Sequence, residues 1–254
     1  MNRISLRLLT RTTSVWAAHF LLIVTLAGCS MLPFGKPAPA IDPALDDDPA
    51  AFAEFEQNAG NSLWEWNDTR QRWHYTIENT TPPRLAQDAW PLDEGAIQLR
   101  ILAAPQSNLH RGRPHALIVR VIQMSDAKPF QVRRDNLFGL KEMLTVNDFD
   151  KTAVLSVNDY SILPGSEQML TLDRLENSRY IGIVAGFFEL NGRQSARLIA
   201  IPPTDTRSTT KRWIQRLSFG FFGAPDASSL RAARLKILLQ IGTDKIDSLR
   251  IRAD

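Results

Sequence analysis

Cysteine is nearly missing from this chain: Cys29 stands alone among 254 residues. A single thiol closes no intramolecular disulfide and leaves no second sulfur for a structural zinc site. Histidine is scarce as well. His110 and His115 are separated by Gly112 and Pro114, so neither a helix nor a strand aligns them as a metal pair. No apolar run is long enough for a confident membrane span. The longest, Val15 to Ala27, is interrupted by His19 and Thr25 and falls short of the roughly 20 residues a spanning helix needs. Glycine (13) and proline (15) are too few and too scattered for a fibrous chain, and 44% hydrophobic residues exclude wholesale disorder. There is no Gly-x-Ser-x-Gly elbow, no phosphate-cradling glycine loop and no His-Glu-x-x-His helix. Ser166 follows Pro164-Gly165 as part of a turn rather than as a nucleophile. The reading is a protein that is not an enzyme, with no cofactor, no metal and no small-molecule substrate.

Charge of one sign is lacking once it is located. The formal net charge of +3 is carried by Arg3, Arg7 and Arg11, in a segment 1–28 without Lys, Asp or Glu. Without that segment 27 basic residues (30 less three) face 27 acidic ones. A neutral chain has no electrostatic footprint for nucleic acid, which is excluded as a partner.

What is present begins with an address. Basic residues 1–14, the apolar stretch and small residues before Cys29 have the form of a secretory signal peptide over residues 1–28. Leu26-Ala27-Gly28-Cys29 resembles the lipobox of bacterial lipoproteins, which implies cleavage before Cys29 and a covalent lipid on it. Ser30 rather than Asp at the next position resembles the sorting signal for the outer membrane. Residues 29–49 hold Pro33, Pro37, Pro39, Pro43 and Pro49 with Asp46-Asp47-Asp48, an extended tether rather than a metal site.

Residues 50–95 form an aromatic N-terminal extension. Trp64/Trp66 and Trp73/Tyr75 are each two apart, which puts each pair on one face of a strand. Two readings stand: a hairpin packed on the main domain, or an aromatic platform over 64–90 that docks glycan or peptidoglycan. From residue 96 to 254 the pattern is that of strands. Eight short runs, at 97–102, 115–123, 153–160, 167–172, 180–188, 196–201, 235–241 and 246–251, predict an all-β, two-sheet β-sandwich. Asn191-Gly192 predicts a tight hairpin turn. Helical insertions are expected near 130–145, where Leu137, Leu140 and Leu144 share a face, and within 204–233, where Trp213 and Leu217 lie four apart ahead of Phe219, Phe221 and Phe222.

Several features, in order, resemble the TssJ/VasD-type lipoproteins of bacterial type VI secretion systems. They are Ile97 to Leu102, the loop with Asn108 and Arg111-Gly112-Arg113-Pro114, and the strand Leu117 to Met124 with Val119-Arg120-Val121-Ile122-Gln123-Met124. Ser125-Asp126, Ile162-Leu163-Pro164-Gly165 and Tyr180 to Phe187 follow. The resemblance implies a transthyretin-like sandwich with an added helical element, on an outer-membrane lipoprotein facing the periplasm. It also implies a partner, the periplasmic C-terminal region of the large inner-membrane protein TssM, bound by the loop between the first two sandwich strands. Here that loop contains Pro105, Gln106, Ser107, Asn108, Leu109, His110, Arg111, Gly112 and Arg113. An apolar Leu109 between forked donors at Arg111 and Arg113, with Pro105 and Pro114 stiffening the ends, suits a contact loop.

Overall fold

The computed structural model describes residues 63–77, 80–205 and 229–254, all within one unit, Glu54–Asp254. Cys29, the tether and the helical candidate at 209–217 with its phenylalanines lie outside the described residues. The chain order is β1 (Trp64–Asn67), β2 (Arg72–Tyr75), β3 (Asp93–Ala103), β4 (Leu117–Met124), α1 (Lys128–Arg134) and α2 (Leu137–Thr145). There follow β5 (Val154–Ile162), β6 (Glu167–Arg174), β7 (Tyr180–Ala185), α3 (Gly192–Ser195), β8 (Ala196–Ala200), β9 (Pro203–Asp205), β10 (Leu230–Ala232), β11 (Leu235–Ile241) and β12 (Ile246–Ala253).

Two four-stranded sheets, β12-β11-β3-β6 and β5-β4-β7-β8, make the sandwich, and their strands are the eight runs expected from alternation. All neighbours are antiparallel except β3 and β11, which run parallel in the register Leu99↔Ile237. Side chains at alternate positions fill the space between the sheets. Ile97, Leu99 and Ile101 of β3 meet Val119 and Val121 of β4, Ile181 and Ile183 of β7, and Ile237 and Leu239 of β11. Each such side chain contributes roughly 1.5–3 kcal/mol on burial.

The β4 sequence is apolar almost without interruption because this sheet is covered on both faces. Its outer face, with Ile122 and Met124, packs against Phe130, Leu140 and Met143 of the helices. Gly182 of β7 permits that packing: a Cβ there would stand 2.5 Å from the Phe130 ring. Two polar residues of β4 tie the layers together. Arg120 pairs with both oxygens of Asp159 at 2.6 Å and donates to the carbonyls of Met143 and Val146, at the C-terminal end of α2. Gln123 donates to Asp173 O and accepts from Leu175 N.

Two expectations are corrected. The single helix over 130–145 is two helices, separated at Asp135-Asn136; Asn136 caps the second by accepting from Gly139 N at 2.6 Å. Leu137 sits in the first turn of α2 and is 51% exposed, whereas Leu140 is buried. Asn191-Gly192 is not a two-residue hairpin turn. Asn191 precedes the one-turn helix α3, its N–H donating to the Ser195 hydroxyl, and β7 and β8 pair across this longer connection.

The hairpin β1–β2 covers the seam where edge strands β8 and β12 approach. Its register, Trp64↔Tyr75 and Trp66↔Trp73, puts all four rings on one face. Trp66 and Trp73 pack on the core. Trp64 Nε1 donates to Pro203 O (2.7 Å), Trp73 Nε1 to Ala200 O (2.5 Å), and Asp68 accepts from Leu249 N (3.2 Å). Edge strands left open would invite pairing with other chains; a packed hairpin blocks that.

Candidate partner-binding surface

The chain between β3 and β4 is shaped by the other turns at its end of the sandwich. Ala104 N donates to Ile241 O (2.9 Å), and Ala104 O accepts from Ser107 N (2.9 Å) and Gly165 N (3.1 Å). Gly165 belongs to the turn Leu163–Ser166, closed by Ser166 N to Leu163 O at 3.1 Å. Leu109 N donates to Thr243 O (2.9 Å), in the β11–β12 turn. These long-range bonds satisfy the loop's backbone where no ladder reaches it.

Its tip is a two-residue turn. His110 N donates to Arg113 O (2.9 Å) and Arg113 N to His110 O (3.0 Å). Arg111 and Gly112 between them have φ of 49° and 75°. Positive φ at both central positions matches the twist of a tight hairpin. Arg111, Gly112 and Arg113 are exposed, as are Pro105 and Gln106.

Ser107 and Asn108 do not belong to the loop's outer surface: they are 0% and 3% exposed. Asn108 is a cross-tie. Its Nδ2 donates to Ala116 O (3.0 Å), and its Oδ1 accepts from Phe188 N (2.9 Å) on the β7–β8 connection. Asn tolerates the φ of 49° found here better than most residues.

That tie brings in a residue that the sequence reading places at the end of a strand. β7 stops at Ala185; beyond it Phe187 is 4% exposed and Phe188 53%. His110 stacks on Phe188 with centroids 4.4 Å apart and planes at 18°, and His115 meets the ring edge-on at 5.0 Å. Strict alternation through Phe187-Phe188 was the available signal, since it sends one ring in and the other out. With Leu109 at 38% exposure, this end presents apolar surface beside Arg111 and Arg113, neither of which has an ion pair among the described residues.

Among the described residues no group of three His, Cys, Asp or Glu side chains converges to hold a metal ion. Among them, too, no helix is long and apolar enough to cross a membrane. On the aromatic side of the β1–β2 hairpin Trp66 and Trp73 pack on the core, while Trp64, Trp73 and Tyr75 also line a cavity with Asn67, Arg72 and Ile77.

Fold and surface together define a β-sandwich domain with a helical cover on one face and a stiffened loop at one end. Residues 95–217 match the family model described as type VI secretion lipoprotein, VasD, EvfM, TssJ. Over that stretch the chain is similar to this TssJ/VasD family of type VI secretion lipoproteins. No curated protein matches its sequence. Among solved structures it is similar to the type VI lipoprotein TssJ1 from Pseudomonas aeruginosa, with 15% identity, a TM-score of 0.41, and coverage of 65% of this chain and 97% of that one. It is similar to Serratia marcescens Lip, a membrane-bound component of the type VI secretion system, with 18% identity, a TM-score of 0.41, and coverage of 62% and 96%. A structure titled as the TssM C-terminal domain from EAEC matches with 15% identity, a TM-score of 0.39, and coverage of 60% and 95%. The likeness to the family rests on the match over residues 95–217 alone.

Proposed function

We propose that this lipoprotein is a non-enzymatic subunit of the type VI secretion membrane complex. In this reading Cys29 carries the lipid that holds it on the periplasmic face of the outer membrane. Loop 104–113 receives the periplasmic C-terminal region of a TssM-like inner-membrane protein. The observation that carries the reading is the loop's construction. Its base is bonded into the turns of β5–β6 and β11–β12, while Leu109, Arg111 and Arg113 remain outward. A loop ordered before binding loses less entropy on contact. A covalent lipid is suited to the anchoring role, because two or more acyl chains hold a protein to a bilayer where one holds it only marginally.

The test of the contact is Leu109→Ala with Arg111→Ala in the full chain in detergent, titrated against that periplasmic region. Covering the open part of Leu109 contributes about 1 kcal/mol and charge-assisted bonds from Arg111 roughly 1.5–3 kcal/mol. The expected loss is therefore about two orders of magnitude in affinity, with unfolding unchanged. Wild-type affinity in the double variant would move the contact elsewhere. The anchor is tested separately by Cys29→Ser: the variant leaves the outer-membrane fraction, and retention there after a high-salt wash would refute lipid anchoring at this residue.

A further inference from the structure

We infer that the partner surface is composite: Phe188, on the β7–β8 connection, forms its apolar centre, and the segment it receives carries an apolar side chain flanked by carboxylates. This rests on the reading that loop 104–113 is the contact, and adds to it a second loop and the chemistry of what is bound.

The first argument is the placement of the ring. Phe188 is 53% exposed, yet its position is fixed. Its N–H is held by the buried Asn108 side chain at 2.9 Å, His110 lies flat against it at 4.4 Å, and His115 supports its edge at 5.0 Å. An exposed phenylalanine with nothing around it would be an ordinary surface residue. One held by three side chains from the neighbouring loop is a preorganised anchor, the kind of group that dominates binding energy at interfaces. Because Asn108 and His110 belong to the β3–β4 loop, whatever touches Leu109 and Arg111 from outside meets Phe188 as well.

The second argument is charge. Among the described residues some arginines of this domain are paired, Arg133 with Glu142, Arg234 with Asp93 and Arg252 with Asp254, and others, such as the exposed Arg72 and Arg84, are not. Arg111 and Arg113 have no such partner among the described residues. The adjoining connections contribute exposed Glu189, Arg193, Asp244 and Lys245, so positive charge remains in excess. Unpaired guanidiniums at the rim of an apolar centre complement carboxylates, which they bind in a forked geometry. The attraction between exposed charges weakens as salt is added.

The experiment titrates the full-length lipoprotein in detergent with the periplasmic region of the TssM-like protein, at low and high salt. The variants are Phe188→Ser, Phe188→Leu and Arg111→Glu, and thermal unfolding is followed for each. Phe188→Ser is expected to weaken binding about tenfold or more, Phe188→Leu less than about threefold, and Arg111→Glu to weaken it and remove most of the salt dependence. Undiminished binding by Phe188→Ser, while the Leu109/Arg111 double variant is weakened, overturns the composite surface and leaves the loop contact standing. Should Phe188→Ser fail to fold, the other two variants decide: binding unaffected by salt and by Arg111→Glu overturns the acidic partner. No binding by the unaltered protein overturns the loop reading and this inference with it.

Discussion

At the seam between β8 and β12 the hairpin turns Trp66 and Trp73 into the core and spends the indole N–H groups of Trp64 and Trp73 on backbone carbonyls. At the end of the sandwich bearing the β3–β4 loop, Phe188 is steadied from behind and left open in front. Arginines divide in the same way. Arg197, 7% exposed at the seam, donates to the carbonyls of Ala196 and Ile246 and lies 3.8 Å from Asp68. Arg111 and Arg113 are exposed. Aromatic and basic composition therefore does not distinguish a structural patch from a binding patch. What differs is exposure. At the seam Trp64, Trp73 and Arg197 spend donors on backbone carbonyls inside the molecule, although Trp66 Nε1 and Arg197 Nε meet no acceptor. The arginines of the loop tip lie open to solvent.

The comparison breaks most decisively at the seam. Trp66→Ala with Trp73→Ala removes two large rings from the core and is expected to destabilise the fold by about 3–5 kcal/mol, the usual cost of emptying an aromatic site. Partner affinity, measured below the unfolding transition, should stay within about threefold of wild type. Thermal unfolding and titration on the same sample check both halves. Lost affinity with an unchanged transition would assign binding to the hairpin and reverse the comparison.

The strands were legible because alternation is a local signal that burial enforces: all eight sandwich strands lie where period-two runs predict them. The helical cover was legible in place but not in form. Asn136, whose side chain caps α2, was the stop-and-start signal, and it outweighs a leucine spacing that ran through it. Asn191-Gly192 misled because the Ser195 hydroxyl, four residues on, offers Asn191 a different bond. Arg120 stands between Val119 and Val121 in an alternating strand, and only the fold places Met143 O, Val146 O and Asp159 around it. In the loop, the outward placement of Leu109, Arg111 and Arg113 was readable from the turn residues around them. The burial of Ser107 and Asn108, and the partnership with Phe188, were not, since they depend on a connection 80 residues away.

Asn108→Ala sharpens the contrast by loosening one region only. Two hydrogen bonds are lost, leaving Ala116 O and Phe188 N without the side chain that met them. At about 1 kcal/mol per bond, the expected destabilisation is about 2 kcal/mol. The ring of Phe188 and the tip of the loop lose their common support, so affinity should fall further than the Leu109→Ala change alone would make it. Chemical denaturation and titration read the two effects. A stability loss with no change in affinity would mean that the two loops bind independently of their tie.

The smallest expected effect tests whether the loop tip is as separate from the sandwich as its exposure suggests. Gly112 has a φ of 75°, and a Cβ built there would meet nothing within 4 Å. Gly112→Ala therefore introduces no clash, and its cost is that of holding an L-residue in the left-handed region, about 1–2 kcal/mol. Arg111, at 49°, already bears a cost of this kind, so the turn is favoured by its reciprocal bonds rather than by its residues. If the tip frays on its own, the penalty is relieved by opening the His110–Arg113 turn: the unfolding transition barely moves while affinity drops about threefold or more through misplacement of Arg111. If the tip is rigidly coupled to the core, the full penalty appears in the transition temperature and affinity changes little. The bonds of Leu109 and Ala104 to the β11–β12 region stop short of the tip, which favours the first outcome. Hydrogen exchange at the Arg113 amide in the wild-type and variant chains separates the two directly.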